Sequence, residues 1–252
     1  MAIIYDKKDR IAYLTINRPE ALNAMDHATW QEVFAAIEDF GGDDDSWVMI
    51  ITGAGDKAFS VGADLKSVIS SVAAGETEVT PTVWFKDIYK PVIAAINGFC
   101  FAGAMEMVLA TDIRIASENA VLGQVEAKWG IFTSAGGTVR LVRHLSWCHA
   151  MEILLTAEPI TAQDAYRIGL VNRVVPLNEL MPAAEAMARR ICENGPLAVR
   201  AIKEAAVRAL SMPLDQALAL EYFMGEKIFK SEDAQEGPRA FAEKRKPEFR
   251  GK

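Results

Sequence analysis

Between Pro91 and Thr111 the chain reads PVIAAINGFCFAGAMEMVLAT, and Glu106 is its only charged side chain. Such a stretch can be hidden only if a neighbouring layer covers each half. Its VIAAI start predicts a buried strand and AGAMEMVLA a buried helix. A carboxylate there loses its hydration, so Glu106 is expected to face solvent, to be paired, to stay partly protonated, or to do chemistry.

The flanking sequence repeats the same alternation of element types. Arg10 to Asn17 alternates as a half-buried strand, and Asp26 to about Phe40 has helical periodicity behind an Asp cap. WVMIITG (47 to 53) predicts a short apolar strand. DKAFSVGADLKSVIS passes through a glycine loop into a helix expected to begin near Ala63, and the breaker-rich SSVAAGETEVTPT (70 to 82) is expected to be a mobile loop beside the site. DIRIAS and AVLG add further strands. Strand and helix in alternation define an α/β class. After Gly137 six segments from TVRLVRHL to PLDQALALEYFMGEKIF have helical character, interrupted by one short strand, VNRVV. The expected organisation is an α/β core over residues 1–190 and a C-terminal helical region over 191–252.

A chain of 252 residues is ample for a substantial core, and 51% hydrophobic with 24% charged residues is ordinary for a soluble globular protein. The net charge of −7 argues against a nucleic-acid partner, and the basic run EKRK (243 to 246) reads as solvated surface. The start MAIIYDKKDRIAYLTI carries charges within its first dozen residues and lacks the apolar core of a secretion signal; no segment reads as a membrane span. A cytoplasmic setting is expected. Cys100, Cys148 and Cys192 share no metal-type spacing and suggest reduced thiols. His144, Cys148 and His149 cluster without a carboxylate or further ligand nearby, so no metal site is expected there.

Several familiar motifs fail. TGAGDKAFSVG lacks the Gly-Lys-Ser/Thr ending of a phosphate loop, and Ala58 stands where a dinucleotide fingerprint needs its third glycine. The Ser60 context AFSVG is not a nucleophile elbow. What remains is two glycine-containing strand-to-helix turns, SVGADL and FAGAME, and two carboxylates, Glu106 and Glu126. The first N–H groups of a helix are unpaired and lie at its positive end, so two such turns facing one spot could form an oxyanion hole. On spacing alone both turns could equally be structural, and Glu126 could be a surface residue paired with Lys128.

At these residues the sequence resembles the crotonase superfamily, also called the enoyl-CoA hydratase/isomerase family. The segments that carry the resemblance are NRPEALNAM, ITGAGDKAFSVGADLKS, KPVIAAINGFCFAGAMEMVLATDIRIASENAVLGQVEAKWGIFTSAGGTVRL, LTAEPITAQDAYRIGLVNRVVP and SEDAQEGPRAFAEKRKPEF. The resemblance implies a crotonase-type ββα superhelix core with a C-terminal helical trimerisation region. It implies that a thioester carbonyl sits between the N–H groups of Ala63 and Gly103, and that Glu106 and Glu126 are the acid/base pair of an enoyl-CoA hydratase. Another acyl-CoA reaction, isomerisation or dehydration, and a non-catalytic acyl-CoA-binding protein are the alternatives. The coenzyme A arm is expected along Arg18 to Ala24, Ser60 and the segment Ala63, Asp64, Leu65 and Lys66, with Phe241 and Lys244 near the adenine nucleotide. No cofactor is expected beyond the coenzyme A of the substrate, and the chain is expected to form a homotrimer or a dimer of trimers. Thr133-Ser134 replaces a common Pro-Gly and Val125 a common Pro. Ser134 is therefore expected near the water or acyl position, and Trp84, Phe85 and Trp129 either narrow the acyl pocket or belong to plain core.

Overall fold

In the computed structural model residues 1–64 and 83–252 are described. The strands and helices run β1 (Ile3–Lys8), β2 (Ile11–Ile16), α1 (His27–Gly42), β3 (Val48–Gly53), β4 (Ala58–Ser60), β5 (Val92–Ile96), β6 (Phe99–Phe101), α2 (Gly103–Leu109), β7 (Ile113–Ser117) and β8 (Val121–Gly123). There follow α3 (Gly137–His144), α4 (Trp147–Thr156), β9 (Ile160–Thr161), α5 (Ala162–Arg167), β10 (Arg173–Val175), α6 (Leu180–Cys192), α7 (Pro196–Ala209), α8 (Leu214–Ile228) and α9 (Glu232–Ala242). The helix expected near Ala63 and the loop expected over 70 to 82 fall outside the described residues, apart from Ala63 itself and Asp64.

Every residue of VMIITG in β3 and of VIAAI in β5 is buried, as befits strands of a parallel sheet covered on both faces. They lie in a six-stranded sheet of order β1-β2-β3-β5-β7-β10, parallel except for the β1/β2 hairpin. Alternate side chains face opposite layers. Val48, Ile50, Ile93 and Ala95 pack against Leu180, Ala184 and Ala188 of α6, whereas Met49, Ile51, Ala94 and Ile96 join the larger core with α1 and α2.

After each of β3, β5 and β7 the chain makes a short strand that leaves this sheet: β4, β6 and β8 form a second sheet of order β4-β6-β8-β9. This repeated strand-strand unit stacks equivalent loops next to one another, and that stacking positions the site. Two buried asparagines brace it. Asn23, in the left-handed conformation, donates to the carbonyls of Ala54 and Ala58 at 3.0 and 2.7 Å. Asn97 donates to Gly53, Gly55 and Ala58 at 2.9, 2.9 and 3.1 Å and accepts the Gly53 N–H at 3.1 Å.

Asp26 caps α1 by accepting the Thr29 N–H at 2.9 Å, as its position in the sequence predicts. Two elements lie outside the strands and helices named from the sequence. The first strand is β1, ahead of Arg10; its charged, mostly exposed IIYDKK marks a sheet edge that lacks a buried face to betray it. The second is α9, which lies in the expected C-terminal helical region and carries Pro238 in its interior. Ser231 caps that helix, and its buried Asp233 and Glu236 accept the N–H groups of Arg250, Gly251 and Glu248, so the C-terminal tail fixes the helix from outside. Among the described residues no helix is long and apolar enough to cross a membrane.

Asn97→Ala takes the side-chain partner from the carbonyls of Gly53 and Gly55 and from the Gly53 N–H, while the Ala58 carbonyl keeps Asn23. Unfolding in urea should register a loss of about 2–4 kcal/mol; a loss below about 0.5 kcal/mol would mean that the bracing is not energetically real.

Candidate active site

The site starts where β6 turns into α2. Ala102 stands at φ 52°, ψ −126°, a region that non-glycine residues seldom enter and that costs about 1–3 kcal/mol. It is pinned from both sides, its N–H on the Gly123 carbonyl and its own carbonyl accepting the Glu106 N–H, each at 3.0 Å. The turn swings the N–H of Gly103, first residue of α2, out of the sheet.

The turn that follows β4 lies against it. Met25 bridges Ala63: the Met25 N–H donates to Gly62 and the Asp64 N–H to Met25, at 2.8 and 3.0 Å. In an extended segment this aims the intervening Ala63 N–H away from Met25. Gly62 is left-handed at φ 88°, and a Cβ on it would come within 3.0 Å of the Gly103 nitrogen. Among the described residues neither the Ala63 nor the Gly103 N–H has a hydrogen-bond partner. Two free donors thus sit on touching turns, the requirement for an oxyanion site.

Glu106, 4% exposed, projects from the first turn of α2. Its Oε1 accepts the N–H groups of Ala135 and Gly137 at 2.6 and 3.0 Å. Oε2 faces the Gly103 turn, 4.0 Å from where a Cβ on that glycine would stand. Glu126, in a 3-10 turn (Glu126–Trp129), is also buried. Its Oε1 accepts the Gln124 side-chain amide at 2.7 Å, and its Oε2 has no partner. Burial pushes both carboxyls above the ordinary carboxylate range. For Glu106 the Ala135 and Gly137 N–H groups oppose the rise and the charge of Glu126 adds to it; for Glu126 the Gln124 and Thr133 side chains oppose it.

The surface reading of Glu126 is therefore overturned: Lys128 pairs with Glu158 at 2.8 Å instead. Ala24 lends its carbonyl to Arg18 at 2.7 Å, and Arg18 reaches Asp64 at 3.4 Å, so the 18–24 turn and the Ala63 loop are tied together. Ser60 is fully buried and its hydroxyl accepts the Gly62 N–H at 3.1 Å, which makes it a support of the turn. Ser134 is exposed, and the donors to Glu106 are its neighbours Ala135 and Gly137. Leu65 and Lys66 lie outside the described residues. Phe241 and Lys244 are exposed at the end of α9, and among the described residues no hydrogen bond or ion pair joins them to the site. Trp84 and Phe85 are buried, Trp84 against Trp30 and Phe34, while Trp129 is 68% exposed. Among the described residues no group of three His, Cys, Asp or Glu could hold a metal.

Sequence reasoning missed four contributors. Gln124 lies within the motif that carries Glu126, but its neighbour's charge draws attention away. Ala135 and Gly137 act through backbone N–H groups and so leave no side-chain signal. Trp30 packs ring carbons 3.4 to 3.5 Å from where a Cβ on Gly103 would be; its helical spacing shows only that it belongs to α1.

Paired buried carboxylates beside a two-amide anion site define a protein that moves protons next to a polarised carbonyl. The profile of the family described as enoyl-CoA hydratase/isomerase matches residues 6–252. The chain is 39% identical over 251 residues to the short-chain-enoyl-CoA hydratase of Clostridium acetobutylicum, covering 98% of this chain and 96% of that one. It is 41% identical over 252 residues to the crotonyl-CoA hydratase of Syntrophomonas wolfei, with 98% and 97% covered. The crystal structure of enoyl-CoA hydratase from Bacillus anthracis superimposes with a TM-score of 0.92 at 35% identity, over 100% of both chains. The protein belongs to the enoyl-CoA hydratase/isomerase family, and its fold is the ββα superhelix of the crotonase superfamily.

Carboxyls held above their unfolded values stabilise the fold at low pH and lose that contribution as pH rises through the folded pKa. Glu126→Gln removes one of them. Its Tm should exceed that of the unmodified protein by about 2 °C or more at pH 7.5, and the gain should vanish near pH 4, where both states are protonated. Scanning fluorimetry across pH reads this directly, and a Tm difference independent of pH would contradict the assignment.

Proposed function

We propose that this protein is an enoyl-CoA hydratase, which reversibly adds water across the double bond of a 2-enoyl-CoA to give a 3-hydroxyacyl-CoA. The observation that carries the reading is buried Glu106 beside the unpartnered Gly103 N–H, with a second buried carboxyl, Glu126, near enough for its charge to act on Glu106.

The thioester oxygen sits between the N–H groups of Ala63 and Gly103. As water attacks C3, negative charge grows on that oxygen, and donors already in place stabilise it without reorganising. Glu106 Oε2, free of the anchors on Oε1, takes the proton of the water. Glu126, whose protonated form burial favours, delivers a proton to C2 from its unpartnered Oε2. Both carboxyls act from one side of the double bond, which gives syn addition. The coenzyme A arm runs along Ala24 and the Ala63 to Lys66 segment. The reading calls on no further cofactor and places the enzyme in the cytoplasm.

Assembly belongs to the same proposal. Not one residue of α8 is buried, and Leu214, Leu218 and Tyr222 form an exposed apolar row four residues apart. A homotrimer or dimer of trimers that covers this row is the reading we favour. Light scattering should return a mass that is a multiple of three chains, and Leu214→Asp with Leu218→Asp should lower it; a monomer in the unmodified protein would overturn this part.

Hydration is read as loss of the conjugated enoyl-thioester absorbance when protein meets crotonyl-CoA. Glu106→Gln and Glu126→Gln should each reduce the rate by roughly 10²–10⁴. Full activity in Glu126→Gln would point instead to single-carboxylate chemistry, as in double-bond isomerisation.

A further inference from the structure

Arg140 lies in the first turn of α3, but its guanidinium folds back over the turn that precedes the helix. Nη1 donates to the Ala135 carbonyl at 3.1 Å. Gly136 holds φ 111°, and a Cβ on it would collide with Nη1, so the guanidinium lies directly across the backbone there. This is the turn whose Ala135 and Gly137 N–H groups clasp Glu106 Oε1. The Arg140 N–H itself donates to the Gly136 carbonyl at 2.9 Å and closes the loop from below. The side chain therefore holds the Ala135 end of the clasp and packs over Gly136, between the two donors.

Its charge acts on the same target. The charges that bear on Glu106 are those of Glu126, which raises its pKa, and Arg140, which lowers it. Burial lowers the pKa of Arg140, and the charge of Glu106 opposes that fall. At the far end of α3, His144 is pushed down to about 4 by burial and by the nearby Arg114 and Arg140, so it adds no charge near neutral pH. Glu126 has an amide for a partner, and no cation figures among the influences on it. The two carboxyls are thus unequal: one has a cation and two backbone N–H donors, the other only neutral donors.

We propose that Arg140 is a positioning residue for the reaction: by bracing the 135–137 turn and facing Glu106, it holds Glu106 as the ionised partner and leaves the proton on Glu126. The proposal rests on the hydratase reading for its kinetic consequence, but not for the coupling between Arg140 and Glu106. Two buried carboxyls that share one site resist double ionisation, and Arg140 decides which of them keeps the proton.

The test compares Arg140→Gln and Arg140→Lys with the unmodified full chain. On crotonyl-CoA, Arg140→Gln should lower kcat roughly 10- to 100-fold with KM changed less than about threefold. It should also move the acid limb of the kcat/KM profile to higher pH by about half a unit or more. Arg140→Lys keeps the charge but loses the planar fork; its acid limb should return to the original position, with kcat still reduced at least about fivefold. An acid limb unmoved in Arg140→Gln, or displaced equally in both variants, overturns the proposal. If Arg140→Gln does not fold, Arg140→Lys carries the test, and a kcat equal to that of the unmodified protein is the overturning result. Infrared titration of 13C-labelled glutamate, with the Glu106 band assigned through Glu106→Gln, follows the carboxyl without turnover. Should the unmodified protein fail to hydrate crotonyl-CoA, the hydratase reading falls, while a Glu106 midpoint raised by Arg140→Gln still supports the coupling and an unchanged one still defeats it.

Discussion

The contact on which the site depends is that of Gly62 with the amide of Gly103. Two turns can come this close only where one lacks a side chain, and only if both leave their strands at the same level. The second condition is met by β4 and β6, which pair in parallel with Ala58 beside Phe99 and Ser60 beside Cys100. Each strand ends one or two residues before its turn, so the two N–H groups arrive side by side. The Asn23 and Asn97 brackets hold β4 in register from below. Strain at Ala102 is the local cost of aiming the Gly103 N–H outward.

Around that contact the protein buries two carboxyls at close quarters, an arrangement that would be unstable without anchors. It resolves the problem unequally. Glu106 spends one oxygen on the N-terminal end of α3, where the Gly137 N–H and the helix dipole favour negative charge, and keeps the other free. Glu126 is steadied through Gln124, whose amide also leans on the Ala102 carbonyl at 3.4 Å. The strained turn, the carboxyl pair and the clasp at 135–137 thus form one connected unit, and catalytic geometry and local stability are set by the same bonds.

Farther out, polar clasps do the work of a core. Lys203 of α7 pairs with Asp112 at 2.8 Å and donates to the Lys90 carbonyl at the same distance, tying the helical region to the end of α2 and the start of β5. Asp233 and Glu236 hold the chain terminus. The helices between these ties, α7 and α8, keep much apolar surface in the open.

The α/β class, the buried strands, the helix after Gly103 and the isolation of Glu106 were legible in the order of residues, whereas the pairing of Glu106 with Glu126 entered only through the family resemblance. Unbroken apolar runs, glycine before a helix and a carboxylate without solvent are local signals, each contained in a few neighbouring positions. The β1 edge and the Pro238 helix were not legible, because an edge strand has no buried face to show and α9 is held by the tail. Nor could the sequence show that Ala135 and Gly137 donate to Glu106 or that Arg140 spans their turn, since backbone donors have no residue type to recognise. By itself, then, the sequence determined which groups are available for proton transfer. Only the tertiary structure decided their inequality, since the environment of a buried carboxyl depends on dipoles and charges brought from about thirty residues away in the chain, from Glu106 to Ala135, Gly137 and Arg140.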